Sequence, residues 1–107
     1  MKNKYYLRYF ESINEGLVNS IYHIHKVKTR PEIFFDSVKK NLGSLMANRN
    51  RIFFFGNGAS AAFANHMALD FSKNGGILAK SLSDSAMLTA LSNDYSYERA
   101  MLEYVKI

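Results

Sequence analysis

Residues 51–70 read Arg-Ile-Phe-Phe-Phe-Gly-Asn-Gly-Ala-Ser-Ala-Ala-Phe-Ala-Asn-His-Met-Ala-Leu-Asp. A short apolar run stops at Gly56-Asn57-Gly58, and an alanine-rich segment with helical spacing begins at once. That order predicts a strand, a tight loop and a helix N-terminus. The loop needs positive φ or a bare backbone at some positions, and glycine supplies both. Ser60 falls where the helix opens, so its hydroxyl and the unpaired N–H groups of the first turn can face an anion together. His66 comes six residues after Ser60 and Asp70 four residues after His66, which puts an imidazole and a carboxylate on one helix face.

Outward from this stretch, the strand at 51–55 carries apolar residues on both faces and is expected inside a sheet covered from both sides. The helix is expected over 59–73, ended by Asn74-Gly75-Gly76 as a left-handed cap. A second strand at 77–82 follows, interrupted by Lys80, and the strand–helix–strand unit predicts a parallel, right-handed crossover. Ser83-Asp84-Ser85 caps a short helix through Leu91, Ser92-Asn93-Asp94 reads as a turn, and residues 97–105 form a last helix. On the N-terminal side, Tyr6, Phe10, Ile13, Leu17, Ile21 and Ile24 recur at intervals of three and four, which predicts an amphipathic helix over about residues 4–25. Thr29-Arg30-Pro31-Glu32 is a helix-start signal for a second helix at 31–47. The fold expected is α/β: a helical hairpin over 1–48, then a βαβα segment over 49–107 belonging to a parallel, Rossmann-like sheet. Tyr5, Tyr9, Val18 and Tyr22 widen the apolar face of the first helix, which predicts a contact between subunits.

Composition bounds the function. With 107 residues, 48% of them apolar, the chain is one domain or part of one and is too apolar to stay disordered. Zero cysteines exclude disulfides, thiolate zinc sites and a cysteine nucleophile. The N-terminus lacks the pattern of a signal peptide and no apolar run approaches a membrane span, so the cytoplasm is the expected location and no membrane partner is expected. The net charge of +5 is spread over Lys26, Lys28, Arg30, Lys39, Lys40, Arg49 and Arg51 rather than gathered into one patch, so no nucleic-acid partner is expected either.

Gly56-Asn57-Gly58-Ala59-Ser60-Ala61 satisfies the G-x-G-x-x-A dinucleotide pattern, but the acidic residue that pattern needs about 20 positions on is missing. No Lys-Ser/Thr pair follows the glycines, which excludes a nucleotide P-loop. His66 and Asp70 can converge on one metal ion or one substrate oxygen, or can simply form a hydrogen-bonded helix pair.

Gly56-Asn57-Gly58-Ala59-Ser60, then Ala64, His66 and Asp70, then Leu88-Thr89-Ala90 with Asn93-Asp94, together resemble the sugar isomerase (SIS) domain and, within it, the phosphoheptose isomerase group. The resemblance extends over the whole chain and covers the front half of such a protein. It implies a cytoplasmic homotetramer that converts sedoheptulose 7-phosphate to D-glycero-D-manno-heptose 7-phosphate, in heptose synthesis for surface polysaccharide, commonly with zinc. The same resemblance implies that Asn57, Gly58 and Ala59 touch the substrate and that Asn93 and Asp94 contact the sugar; Ser60 is expected beside them from its place at the helix start. The resemblance also implies His66 and Asp70 as metal ligands with Asp70 near the reacting carbons of the substrate, where Asp70 is the expected catalytic base. Asp70 stands where the group usually has Glu, one methylene longer. The Ser/Thr-rich phosphate loop of the family, and the Gln and His that complete its metal and acid–base set, belong to the second half. The rival expectation is a non-catalytic SIS module that binds a phosphosugar or a protein partner as a regulator.

Overall fold

The structure, a computed structural model, describes residues 4–107. In chain order the elements are α1 (Tyr5–Val18), β1 (Tyr22–Ile24), β2 (Val27–Thr29), α2 (Pro31–Ala47), β3 (Arg51–Phe54), α3 (Ala59–Lys73), β4 (Leu78–Ser81), α4 (Ser85–Asp94) and α5 (Tyr97–Lys106). The chain divides into two compact units, with the division between Lys39 and Lys40.

In the first unit the leading helix is shorter than its apolar spacing predicts. It ends at Val18, where the Asn19 N–H bonds back to Glu15 O, the Ser20 N–H to Leu17 O and the Ser20 hydroxyl to Gly16 O. Residues 22–29, read from the sequence partly as helix, form an antiparallel ribbon with Tyr22 opposite Thr29 and Ile24 opposite Val27. The two-residue turn His25-Lys26 has φ of 49° and 68°, the paired positive values of the tight hairpin turn whose twist matches the strands. Tyr22 and Ile24 satisfied the helical period and also the alternation of a strand, and the turn decided between them. Tyr22 packs on Phe34 and Phe35 of α2, with ring centroids 5.2 and 5.6 Å apart.

The second unit holds the parallel pair expected from the sequence, β3 beside β4, with Ile52 opposite Ala79 and Phe54 opposite Ser81. Alternation along β3 sends its aromatic rings to opposite sides. Phe54 meets Phe71 of α3 at 5.1 Å, while Phe53 and Phe55 stack together and meet the edge of Tyr104 of α5 at 5.9 and 6.2 Å. Both faces of the strand are covered, which is why it reads as apolar in both registers. Among the described residues, the least exposed are Ala64 and Ala68 of α3, Ile77, Leu91, Ala100 and Glu103. The small alanines let α3 lie close to the sheet.

Two further details depart from expectation. Ser92-Asn93-Asp94 is the last turn of α4 rather than a turn after it. The Thr89 and Ser92 hydroxyls bond to the carbonyls of Ser85 and Leu88 one turn back, so these polar residues stay inside the helix. After α3 the left-handed residue is Gly76, and Ile77 N–H reaches back to Phe71 O at 3.0 Å. On β4 the Ser72 hydroxyl accepts from Ala79 N–H (3.3 Å) and donates to Ala79 C=O (3.1 Å), so one side chain of α3 occupies both backbone groups of that strand residue.

Candidate functional site

The loop 55–58 leaves the carboxyl end of β3, the end at which open parallel sheets place their ligand sites. Gly56 is fixed by crowding: a Cβ there would lie 2.4 Å from Ser60 C and O and 2.7 Å from Ala61 N, all backbone atoms that cannot swing aside. Gly58 is fixed by conformation, with φ 57° and ψ −125°, and no side chain caps the helix it starts. The first turn of α3 has already used part of its donor capacity. Ser60 N–H bonds to Asn57 O (3.1 Å), and Ala61 and Ala62 N–H bond to Gly58 O (3.0 and 3.3 Å). What remains for a ligand is the N–H of Gly58 and Ala59, the Ser60 hydroxyl, which has no partner among the described residues, and the side chain of Asn57.

Asn57 is not loose. The hydroxyl of Tyr97, the first residue of α5, donates to Asn57 Oδ1 at 2.8 Å. Tyr97 lies three residues beyond Asp94, so this bond ties the β3–α3 loop to the corner between α4 and α5. Asn93 and Asp94 sit at that corner, both exposed, with Asn93 Nδ2 3.4 Å from Asp94 Oδ1. Sequence reading missed Tyr97, because 40 residues separate it from Asn57 and no local spacing reports such a pair.

Farther along α3, His66 Nε2 and Asp70 Oδ2 are 3.3 Å apart, with side chains 69% and 40% exposed. Asn74 Nδ2 reaches the other carboxylate oxygen of Asp70, also at 3.3 Å. The i, i+4 spacing therefore brings the two side chains into contact, the helix pair that the sequence left open beside a shared metal ion or substrate oxygen. It does not bring the pair to the loop. At 1.5 Å of rise per residue, the ten residues from Ser60 to Asp70 place them about 15 Å apart along the axis. Phe63, one turn before His66, is exposed, and Ala62, Phe63 and His66 line a shallow apolar depression of about 230 Å³ beside the pair.

The chemistry of the donor set bears on a metal. His66 and Asp70 offer two ligands, and no group of three His, Cys, Asp or Glu side chains gathers among the described residues. A catalytic zinc takes three protein ligands and keeps one position open. The pair alone does not make such a site, and to ligate through Nε2 the imidazole would have to leave Asp70 as its hydrogen-bond partner.

The chain is 32% identical over 77 residues to a protein named phosphoheptose isomerase from Solidesulfovibrio magneticus. The alignment covers 66% of this chain and 38% of that protein, so the chain spans well under half the length of this curated relative. No family model matches the chain, and no solved structure matches it. The similarity is of modest identity, and the architecture of the chain is mixed α/β. No helix among the described residues is long and apolar enough to cross a membrane.

Proposed function

We propose that this chain carries the front part of a cytoplasmic sugar-phosphate isomerase, acting on sedoheptulose 7-phosphate. The observation that carries the reading is the joining of Asn57 to the α4–α5 corner through Tyr97. It brings two stretches that are distant in sequence, the glycine loop and the end of α4, to one place beyond the parallel strands, as a small-molecule site in such a sheet requires. Relatedness to a protein with the phosphoheptose isomerase name gives the ligand its class.

The chemistry is an aldose–ketose exchange. A base takes the proton from the carbon beside the carbonyl, the electron pair moves onto the oxygen to give an enediol(ate), and a proton returns to the neighbouring carbon. Asp70 is the base in this reading. His66, bonded to Oδ2, and Asn74, bonded to Oδ1, hold its carboxylate in one orientation. Gly58 N–H, Ala59 N–H, the Ser60 hydroxyl and the Asn57 amide take the anionic or oxygen-rich part of the ligand, with Asn93 and Asp94 on the sugar. Because the loop and Asp70 stand about 15 Å apart along one helix, each cluster needs complementary groups from a part of such a protein that this chain does not cover or from another subunit. The same holds for zinc, for which His66 and Asp70 would supply two of the donors. Subunits are proposed to meet through α1, as a tetramer.

The test is interconversion of sedoheptulose 7-phosphate and D-glycero-D-manno-heptose 7-phosphate by the full-length gene product beside its Asp70→Asn variant. Turnover in the parent, lowered by about 10²-fold or more in the variant with sugar-phosphate binding retained, is the expected result. Binding without turnover in the parent, unaffected by Asp70→Asn, replaces the enzyme with a regulatory phosphosugar module.

A further inference from the structure

An asparagine amide has an accepting edge and a donating edge, and a free side chain can turn either of them toward a ligand. At residue 57 one edge is already committed, since Oδ1 receives the Tyr97 hydroxyl at 2.8 Å. We propose that Tyr97 is a positioning residue for the candidate site: by engaging Oδ1 it turns Nδ2 toward the ligand and makes the loop select a hydrogen-bond-accepting oxygen, such as a phosphate or carbonyl oxygen of a sugar phosphate. The proposal rests on the sugar-phosphate reading above and adds to it the polarity of one contact.

Three features favour it. The other groups the loop keeps for a ligand, Gly58 N–H, Ala59 N–H and the Ser60 hydroxyl, can all donate, so an Asn57 carbonyl turned the same way would repel the anion they attract. The main chain of Asn57 is itself held, through Asn57 O and Ser60 N–H at 3.1 Å, so the remaining freedom is rotation of the amide about its own side chain. Finally, the Tyr97 side chain is not sunk in the core, its residue being 53% exposed, and so its hydroxyl is located by this bond rather than by burial of the ring.

The experiment uses the 107-residue chain, ¹⁵N-labelled, with sedoheptulose 7-phosphate as the probe and phosphate-free sedoheptulose as the control. In the unaltered chain the Asn57 side-chain amide resonances should shift on titration. Tyr97→Phe should weaken binding by about tenfold, the scale of one lost hydrogen bond, at unchanged far-ultraviolet circular dichroism. Asn57→Asp keeps an acceptor for Tyr97 but presents a carboxylate to the ligand, and should weaken binding further; adding Tyr97→Phe to it should change little. Equal affinity in Tyr97→Phe and the parent overturns the proposal while leaving the sugar-phosphate reading intact. So does a fall in melting temperature with no loss of affinity in the folded protein, which is the mark of a structural role only. Affinity in Asn57→Asp equal to that of the parent overturns the assigned polarity. If the unaltered chain and the full-length gene product both fail to bind the probe, the sugar-phosphate reading falls and the proposal with it.

Discussion

A single methyl group separates Gly56 from a residue the loop cannot hold. Its Cβ would sit 2.4 Å from the Ser60 backbone, and relieving that overlap means pushing α3 off its start. We expect Gly56→Ala to destabilise the second unit by about 1–3 kcal/mol, the range for overpacking a fixed site, measured by urea unfolding. Gly58→Ala meets no neighbouring atom and is opposed only by its backbone angles, so it should lower stability less. The polar residues of this loop and helix were legible in the sequence because they are neighbours there: two glycines around Asn57, Ser60 at the helix start, and His66 four residues before Asp70. Their separation in space was less so. Helical rise, not spacing alone, parts the loop from the carboxylate. Two ligands also make a weak metal site, and the chain should bind zinc only weakly by calorimetry, with His66→Ala removing what binding there is.

Helix starts and ends behaved differently from helix middles. Pro31 opens α2 and Asp84 caps α4 as their residue types predict, the Asp84 carboxylate accepting Met87 N–H at 2.7 Å. Asp84→Ala should therefore lower stability by about 1 kcal/mol. The end of α1 was illegible because Ile21 and Ile24 continue its period, and only the hairpin pairing at 22–29 shows that they have left it. In α5 the Glu103 side chain, nearly buried, receives Arg99 at 2.7 Å and Lys106 at 2.8 and 2.9 Å. The hydrogen bond from Lys106 is the main cause that holds its carboxyl below the usual range, with Arg99 assisting and partial burial opposing. A carboxylate with a lowered value in the folded state adds stability above the unfolded value, about 4.3, and that contribution is lost as pH falls through the folded value. Acid unfolding followed by circular dichroism should thus begin at higher pH in a Lys106→Met variant, and Glu103→Gln should flatten this part of the pH dependence.

At the scale of the whole molecule, α1 leaves Tyr6, Tyr9, Phe10, Leu17 and Val18 exposed, with no residue of the helix buried. Sedimentation velocity should find the protein associated, and polar replacement of Phe10 and Leu17 should shift it toward the monomer. A monomer at all concentrations in the unaltered protein would remove α1 as a subunit contact. The parallel pair was the most legible part of the fold, since Phe53 and Phe54 of β3 and Phe55 just after it announce both of its covered faces. What the sequence did not announce is the asymmetry of its two rims. On β4 the Ser72 hydroxyl occupies the N–H and C=O of Ala79, whereas β3 has no strand paired on the side away from β4 among the described residues. The sheet is consequently a ladder with one rail partly sealed. An invading strand of another molecule is admitted beside β3 and discouraged beside Ala79, so the open rim of β3 is the side on which the sheet is exposed to misassembly.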